Sequence, residues 1–296
     1  MLLSQLAYFE ALAREEHFGR AAESCYVSTS TLSEAIRKLE TEVGFPLVNR
    51  GKSTYRGLTG EGRLVLDYAR RINADQRSLT QDLAYRRGHL DVTVRFGAIP
   101  SAADRAAELL GRLVDANPSV RVDLVADLTS EDIVSRVLNH ELDAGVIHPG
   151  AARGHTRAGQ QGTVRLTALG SVHFSVVGRR ETMDRFDGHV TGADLEHLPV
   201  ALLGRNMLAR EGFDRAMEDV GASVTPAVET TSVGSLRALA ATGNWVAVVP
   251  SSGAESGDLV SLPLTAPKVD LDVALVRLDT RPRPMLIGAL DEAARG

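Results

Sequence analysis

Phe18-Gly-Arg-Ala21-Ala22-Glu-Ser-Cys25-Tyr-Val27-Ser28-Thr-Ser-Thr-Leu32-Ser33-Glu-Ala-Ile36-Arg37-Lys38-Leu39-Glu40 reads as two short helices around a tight corner. Phe18, Ala21, Ala22 and Cys25 recur at spacings of three and four, as do Leu32, Ile36 and Leu39, so each helix has one apolar face. Small Ala21 and Ala22 let the helices cross closely, Val27 plugs the corner, and Ser28 is placed to cap the second helix. The outward positions of that helix are the hydroxyls Thr29, Ser30, Thr31 and Ser33, followed by Glu34, Arg37 and Lys38. Polar side chains at a helix N-terminus with cations farther along suit insertion into a DNA major groove. An ordinary helical hairpin has the same periodicity, so the flanking segments must decide between the two.

Asn49-Arg50-Gly51-Lys52-Ser53-Thr54-Tyr55-Arg56-Gly57-Leu58-Thr59 reads as a short hairpin-like segment. Its three cations, Arg50, Lys52 and Arg56, face no acid within the segment, which suits a phosphate backbone. Beyond it, Leu64, Tyr68, Ile72, Leu79 and Leu83 recur at multiples of three to four residues across a charged stretch. That pattern predicts a long amphipathic helix whose stripe needs a partner, either its own body or a second chain.

The order helix, helix-turn-helix, basic wing and long helix, followed by an α/β body, resembles the LysR-type transcriptional regulators over essentially the whole chain. The matching residues are Leu6-x-Tyr8-Phe9, Phe18-x-x-Ala21-Ala22, Val27-Ser28, Leu32-Ser33, Ile36-x-x-Leu39-Glu40 and Leu58-Thr59-x-x-Gly62. The resemblance implies an α/β protein with an N-terminal winged helix-turn-helix over 1–58 and a linker helix over 59–89. A two-lobed, periplasmic-binding-protein-like effector domain would fill 90–296, with lobe 1 at about 90–163 and 267–296 and lobe 2 at about 164–266. It further implies double-stranded DNA, a small-molecule effector and RNA polymerase as partners, and pairing through the linker helix into dimers or a tetramer. The chain departs from the family after the turn serine, where Gln-Pro is common and Thr29 and Ser30 stand here. Glu34 stands where arginine is frequent, and it either accepts from cytosine or faces away from phosphate.

Composition agrees with this outline. The chain of 296 residues is long enough for two or more domains, and 44% hydrophobic residues support real cores. The net charge of −5 divides unevenly: residues 1–90 hold 13 Lys+Arg and 11 Asp+Glu, and the rest 20 and 27, so the acidity belongs to the body. No apolar run approaches a membrane span and no signal-peptide layout opens the chain, so a cytoplasmic location is expected. Cys25, the single cysteine, is expected to pack inward, and a body without cysteine excludes the intramolecular disulfide switch of some redox-sensing relatives. The eight histidines lie far apart, so no metal site is expected, and no cofactor either.

From about Asp91 strand and helix patterns alternate. Val92, Val94 and Phe96 form a strand, and Gly97-Ala-Ile-Pro100-Ser101 opens a helix to Asn117-Pro118. Val120, Val122 and Leu124 form the next strand, Thr129-x-x-Asp132 a capping box, and Leu142 to Ile147 another strand. After a polar loop from Pro149 to Gly162 a second unit follows. It holds strands at Val172–Val177, Pro199–Leu203, Val224–Val228 and Trp245–Val249, and helices near Leu208–Val220 and Val233–Ala241. Leu271, Val273 and Leu275 begin a final strand, and a helix follows the Pro-rich stretch at 282–284. Such order calls for parallel sheets.

Ligands of open parallel sheets collect where strands end and helix N-termini begin. Ser101, Thr129 and Thr231 occupy such places, and each either contacts a ligand or simply caps a helix. The resemblance adds Gly204, Arg205 and Asn206, in the loop after Leu203, to the loops of Ser101 and Thr231. Arg205 is a candidate anion clamp, or a partner for a surface acid, and His148 ends a strand near the expected hinge.

Enzyme motifs fail. Gly51-Lys52-Ser53 lacks the glycine a phosphate loop needs, since position 46 is proline, and Gly60-x-Gly62 is followed by Val65 where a dinucleotide loop needs a small residue. No G-x-S-x-G elbow occurs. The expected function is therefore effector-responsive, sequence-specific DNA binding by a non-enzyme, with a small anion or carboxylate as ligand. A constitutive DNA-binding repressor or architectural protein is the competing reading.

Overall fold

The computed structural model describes residues 1–50, 55–86, 92–155, 163–250 and 257–296. Two compact units divide the chain, Met1–Gly88 and His89–Gly296.

The first unit comprises α1 (Leu3–Glu15), α2 (Phe18–Ser24), α3 (Thr29–Val43), β1 (Val48–Arg50), β2 (Tyr55–Leu58) and α4 (Gly60–Tyr85). Phe9, Leu12, Leu32, Ile36, Leu39 and Leu47 are fully buried at its centre. Each such side chain contributes about 1.5–3 kcal/mol by leaving water. In the corner Val27 N–H donates to the Ala22 carbonyl at 3.0 Å, and Ser28 Oγ accepts from Thr31 N–H at 3.1 Å, capping α3 as its sequence indicates. Cys25 ends α2 only half-buried, against the rim of this core rather than within it.

The motif Leu58-Thr59-x-x-Gly62 fastens the hairpin to α4. Thr59 Oγ1 accepts from Gly62 N–H and donates to the Pro46 carbonyl, both at 2.8 Å. A Cβ on Gly62 would fall 2.0 Å from the Leu47 carbonyl oxygen, so only glycine allows this approach. Glu40, on α3, accepts from the N–H groups of Leu47 and Val48 and so holds β1 to α3. Helix α4 buries Gly62, Leu66, Ala69 and Asn73, and Asn73 donates to Glu10 on α1 at 2.6 Å.

The second unit begins with β3 (Val92–Ala98), α5 (Ala103–Ala116), β4 (Val120–Val125), α6 (Ser130–Leu138) and β5 (Ala144–Ile147). There follow β6 (Val164–Arg179), α7 (Arg180–Met183), β7 (Val190–Thr191), α8 (Gly192–Leu195), β8 (Val200–Leu203) and α9 (Leu208–Asp219). The chain ends with β9 (Val228–Thr230), α10 (Val233–Ala241), β10 (Val246–Pro250), β11 (Leu259–Ala266), β12 (Asp270–Leu278) and α11 (Met285–Ala293). The strand order is β4-β3-β5-β12-β6-β10-β8-β9, with β11 also on β6 and β7 on β11. Strands β3, β4 and β5 are parallel, as are β8, β9 and β10, whereas β12 runs antiparallel to β5 and β6.

Strand β6 belongs to both lobes. It pairs with β12 from Val164–Leu278 to His173–Asp270, then with β10 and β11 from Phe174 onward. Each lobe packs its own core, one around Phe96, Leu109, Ile133 and Ile147, the other around Val176, Phe213, Leu236 and Val248. The passage between lobes therefore lies near 173 and 270, and the expected edge of lobe 2 at 164 moves inward by about one strand half.

Three sequence expectations shift. The strand expected over Val172–Val177 is the second half of the sixteen-residue β6, whose pattern is interrupted where Gly170 takes φ 87° beside a register slip. The strand expected over Val224–Val228 instead spans Val228–Thr230, since Pro226 has no N–H for a ladder. The helix expected from Ser101 starts as a 3-10 turn over Pro100–Ala102 and becomes α5 at Ala103.

Candidate nucleic-acid interface and ligand cleft

Burial of Leu32, Ile36 and Leu39 turns the rest of α3 outward. Thr29, Ser30, Thr31, Glu34, Arg37 and Lys38 are all exposed, while Ser33 is half-buried and Ser28 is spent partly on its cap. The sequence-expected reading residues thus share one helix face. Glu34 pairs with Lys38 at 2.8 Å, one turn away. Their mutual hydrogen bond and charge attraction lower the Glu34 carboxyl and raise the Lys38 ammonium from their ordinary ranges. Among the described residues Arg37 is the exposed cation of α3 that makes no ion pair. Arg56 is exposed on β2; Lys52 and the side chain of Arg50 lie outside the described residues.

Tyr26 was not foreseen. It occupies the corner at φ 56° and is 96% exposed, two residues before the α3 cap Ser28. Only the placing of a large residue at a left-handed turn position signals it, and that conformation cannot be read from one tyrosine.

Between the two lobes Ser101, Thr129, Ser130 and His148 face Leu203, Met207, Leu208 and Ala209 across a cavity of about 10 Å³. This is room for about one water molecule. His148, at the end of β5, organises the polar side. Its Nδ1 lies 2.9 Å from the Asp272 carbonyl, which can only accept, so Nδ1 carries the proton. Nε2 is then the acceptor for the Ser101 hydroxyl at 2.8 Å. The His148 backbone N–H donates to Ser130 Oγ at 3.1 Å. Burial pushes the imidazole below its ordinary 6.5, partly countered by the Asp272 carbonyl and the Glu131 charge.

A neighbouring cavity of about 130 Å³ lies between Ile99, Asp104, Leu124 and Asp127 on lobe 1 and Val233, Arg237 and Pro250 on lobe 2. Apolar walls with a few polar groups suit a small organic ligand.

The structure gathers Ser101, Thr129 and His148 but not the whole expected set. Thr129 also caps α6 in a reciprocal box with Asp132. Thr231 is exposed and outside both cavity walls, and Ser232 caps α10 in its place. Gly204 and Asn206 follow the wall residue Leu203 without entering the walls. Arg205 is 77% exposed, with Nε 3.8 Å from Glu229, so it pairs with a surface acid. The cation that shapes this loop is Arg210, which sequence reasoning overlooked. It is buried, donates to the Leu203 carbonyl at 2.8 Å, and is held by Asp214 and Glu229 at 2.7 Å each. Among the described residues no group of three or more His, Cys, Asp or Glu side chains could hold a metal.

Residues 3–63 match the family described as bacterial regulatory helix-turn-helix protein, lysR family, and residues 87–295 match the LysR substrate binding domain. The SDS degradation transcriptional activation protein of a Pseudomonas species is 38% identical over 142 residues, covering 48% of this chain and 46% of that protein. A probable hydrogen peroxide-inducible genes activator of Mycobacterium xenopi is 35% identical over 147 residues, covering 49% of this chain and 76% of that one. The alignment thus spans about half the length of the first of these curated relatives. A full-length OxyR variant from Pseudomonas aeruginosa superposes with a TM-score of 0.72 at 26% identity, covering 100% of this chain and 95% of that one. Full-length CbnR complexed with its target DNA gives 0.68 at 20% identity, covering 100% and 99%, a likeness of fold.

Proposed function

The chain belongs to the LysR family of bacterial helix-turn-helix regulators, and from that premise we propose that it is a sequence-specific DNA-binding regulator of transcription switched by a small effector. The observation that carries this reading is the outward face of α3, where hydroxyls, Arg37 and Lys38 stand on a helix capped at its leading end. Thr29 and Ser30 offer single hydroxyls and, for threonine, a methyl group suited to thymine. Arg56 adds affinity through phosphate. Two copies, joined through the exposed stripe of α4, multiply the few base pairs one helix reads, and two such dimers would make a tetramer. RNA polymerase is the partner expected at target promoters, and the cytoplasm the place of action. Among the described residues no helix is long and apolar enough to cross a membrane.

The effector belongs in the interlobe cleft. Ser101, Thr129 and Ser130 beside the start of α6 suit a small carboxylate or other anion, and the apolar residues opposite suit its carbon skeleton. Entry requires the lobes to part, so a ligand that prefers one arrangement shifts the balance between the two, and DNA that selects the same state must tighten ligand binding equally. The sole cysteine is Cys25, so an intramolecular disulfide is not the switch. The near-filled cleft also favours a second reading, a constitutive DNA-binding protein, in which candidate effectors leave the DNA footprint unchanged.

The test is selection from a pool of randomised duplexes, followed by fluorescence anisotropy across salt. The expected result is a motif of two half-sites bound about a thousandfold or more tighter than scrambled DNA. Arg37→Ala should weaken that binding while leaving effector binding intact. Recovery of no motif, with equal weak binding to all duplexes, would overturn the reading.

A further inference from the structure

A cavity of about 420 Å³ opens on lobe 1 where β6 begins and β12 ends, walled also by the segment leading into α11 and by the C-terminal end of α11. It lies at the opposite end of β5 from the cleft, because Arg277 in its wall pairs with Ala144 at the start of β5 while His148 follows its end. Among the described residues its wall carries five guanidinium groups, Arg165, Arg277, Arg281, Arg283 and Arg295, against two carboxylates, Asp279 and Asp291.

Both carboxylates are already committed. Arg277, buried, donates through Nε to Asp291 at 2.8 Å, and Arg283 bonds the same carboxylate from the rim. Arg165 holds Asp279 at 3.1 Å. Arg281 and Arg295 are exposed and make no ion pair with a described residue. Arginine does not give up its proton in proteins, so an excess of three positive charges persists in one concavity at every ordinary pH. The like charges repel one another, and an anion placed among them relieves that repulsion.

The groups are also partly preorganised. The buried Arg277–Asp291 pair fixes the floor, and Pro282 and Pro284 restrict the segment that presents Arg281 and Arg283. Planar guanidinium forks match the paired oxygens of phosphate and carboxylate. A concavity within the range of about 300–1,000 Å³ suits a small molecule, whereas a duplex follows a long cationic stripe. We propose that this is a second anion site, independent of the interlobe cleft, for a small molecule bearing at least two negative charges on phosphate or carboxylate groups.

The probes are inorganic pyrophosphate and citrate, added to the full chain and followed by calorimetric titration and thermal unfolding, with sodium chloride at matched ionic strength as control. The expected result is saturable binding and a rising Tm for at least one probe beyond the chloride effect. Arg281→Ser combined with Arg295→Ser should weaken it at least about tenfold, or 1.4 kcal/mol. Both side chains are exposed, so the fold should persist, and an unchanged circular dichroism spectrum checks this. Ser101→Ala should bind the probe as the unaltered chain does. Equal shifts with chloride would mean an ion atmosphere only and overturn the proposal, as would no saturable binding of either probe. Loss of binding in Ser101→Ala would move the probe to the cleft and overturn it as well. A double variant that keeps probe binding but loses DNA affinity would instead mark a duplex-binding surface and likewise overturn it.

Discussion

Glu34 and Lys38 show how one residue resets a neighbour's role. Lys38 would add a phosphate contact, yet its ammonium is held by Glu34 at 2.8 Å on the same helix face. Glu34→Gln removes the carboxylate and frees the cation. The expected result is tighter binding to all duplexes, with the slope of log affinity against log salt steeper by about one counterion. An unchanged slope in an anisotropy titration would place Lys38 away from the backbone. The outward positions of α3 were legible in the sequence because Leu32, Ile36 and Leu39 fix the inward ones by periodicity. The Ser28 cap was legible because it acts within three residues. Tyr26 and Arg210 were not, since a left-handed φ and a buried charge depend on what surrounds them.

Helix α4 shows the same division among elements. Its length and amphipathic stripe follow from spacing, but a stripe does not name its partner. The unit uses a different face, Leu66, Ala69 and Asn73, for its own packing, and leaves Leu64, Tyr68, Leu79 and Leu83 at least half exposed. Each such aliphatic side chain is worth about 1.5–3 kcal/mol when covered, which suits a helix pairing with a second copy. Leu79→Asp with Leu83→Asp should raise the dimer dissociation constant at least about a hundredfold, the equivalent of roughly 3 kcal/mol, by sedimentation equilibrium. An unchanged molar mass at every concentration would remove this face from the interface. Strand β6 went the other way. Sequence showed only its second half, because the Gly170 bulge interrupts the first, and only the pairing of Val164–His173 with β12 assigns that first half to lobe 1.

Across the whole second unit His148 ties the start of α5 to the passage strand β12 through Ser101 and the Asp272 carbonyl. Its neutral form is favoured by burial, and it therefore titrates below 6.5 in the folded chain. The unfolded chain then binds more protons, so this group's share of stability is intact above about pH 6.5 and is lost as pH falls through the folded value. His148→Gln should flatten the fall in Tm between about pH 7 and pH 5 relative to the unaltered chain. Parallel curves for the two proteins would show that His148 is not the titrating group. The amino-acid sequence by itself determined the helix-turn-helix, the strand–helix alternation of the larger unit, the Ser28 and Thr129 caps and the outward face of α3, because these rest on contacts three or four residues apart or on alternation. It did not reveal the short α7, β7 and α8 or the strand β11. Only the tertiary structure decided that Ser101 meets His148 and Asp272, that Arg205 turns to Glu229, and that Arg165 joins Arg277 to Arg295 around one cavity. Those meetings depend on sheet pairing between segments remote in the chain, and no local period encodes which remote segment will arrive.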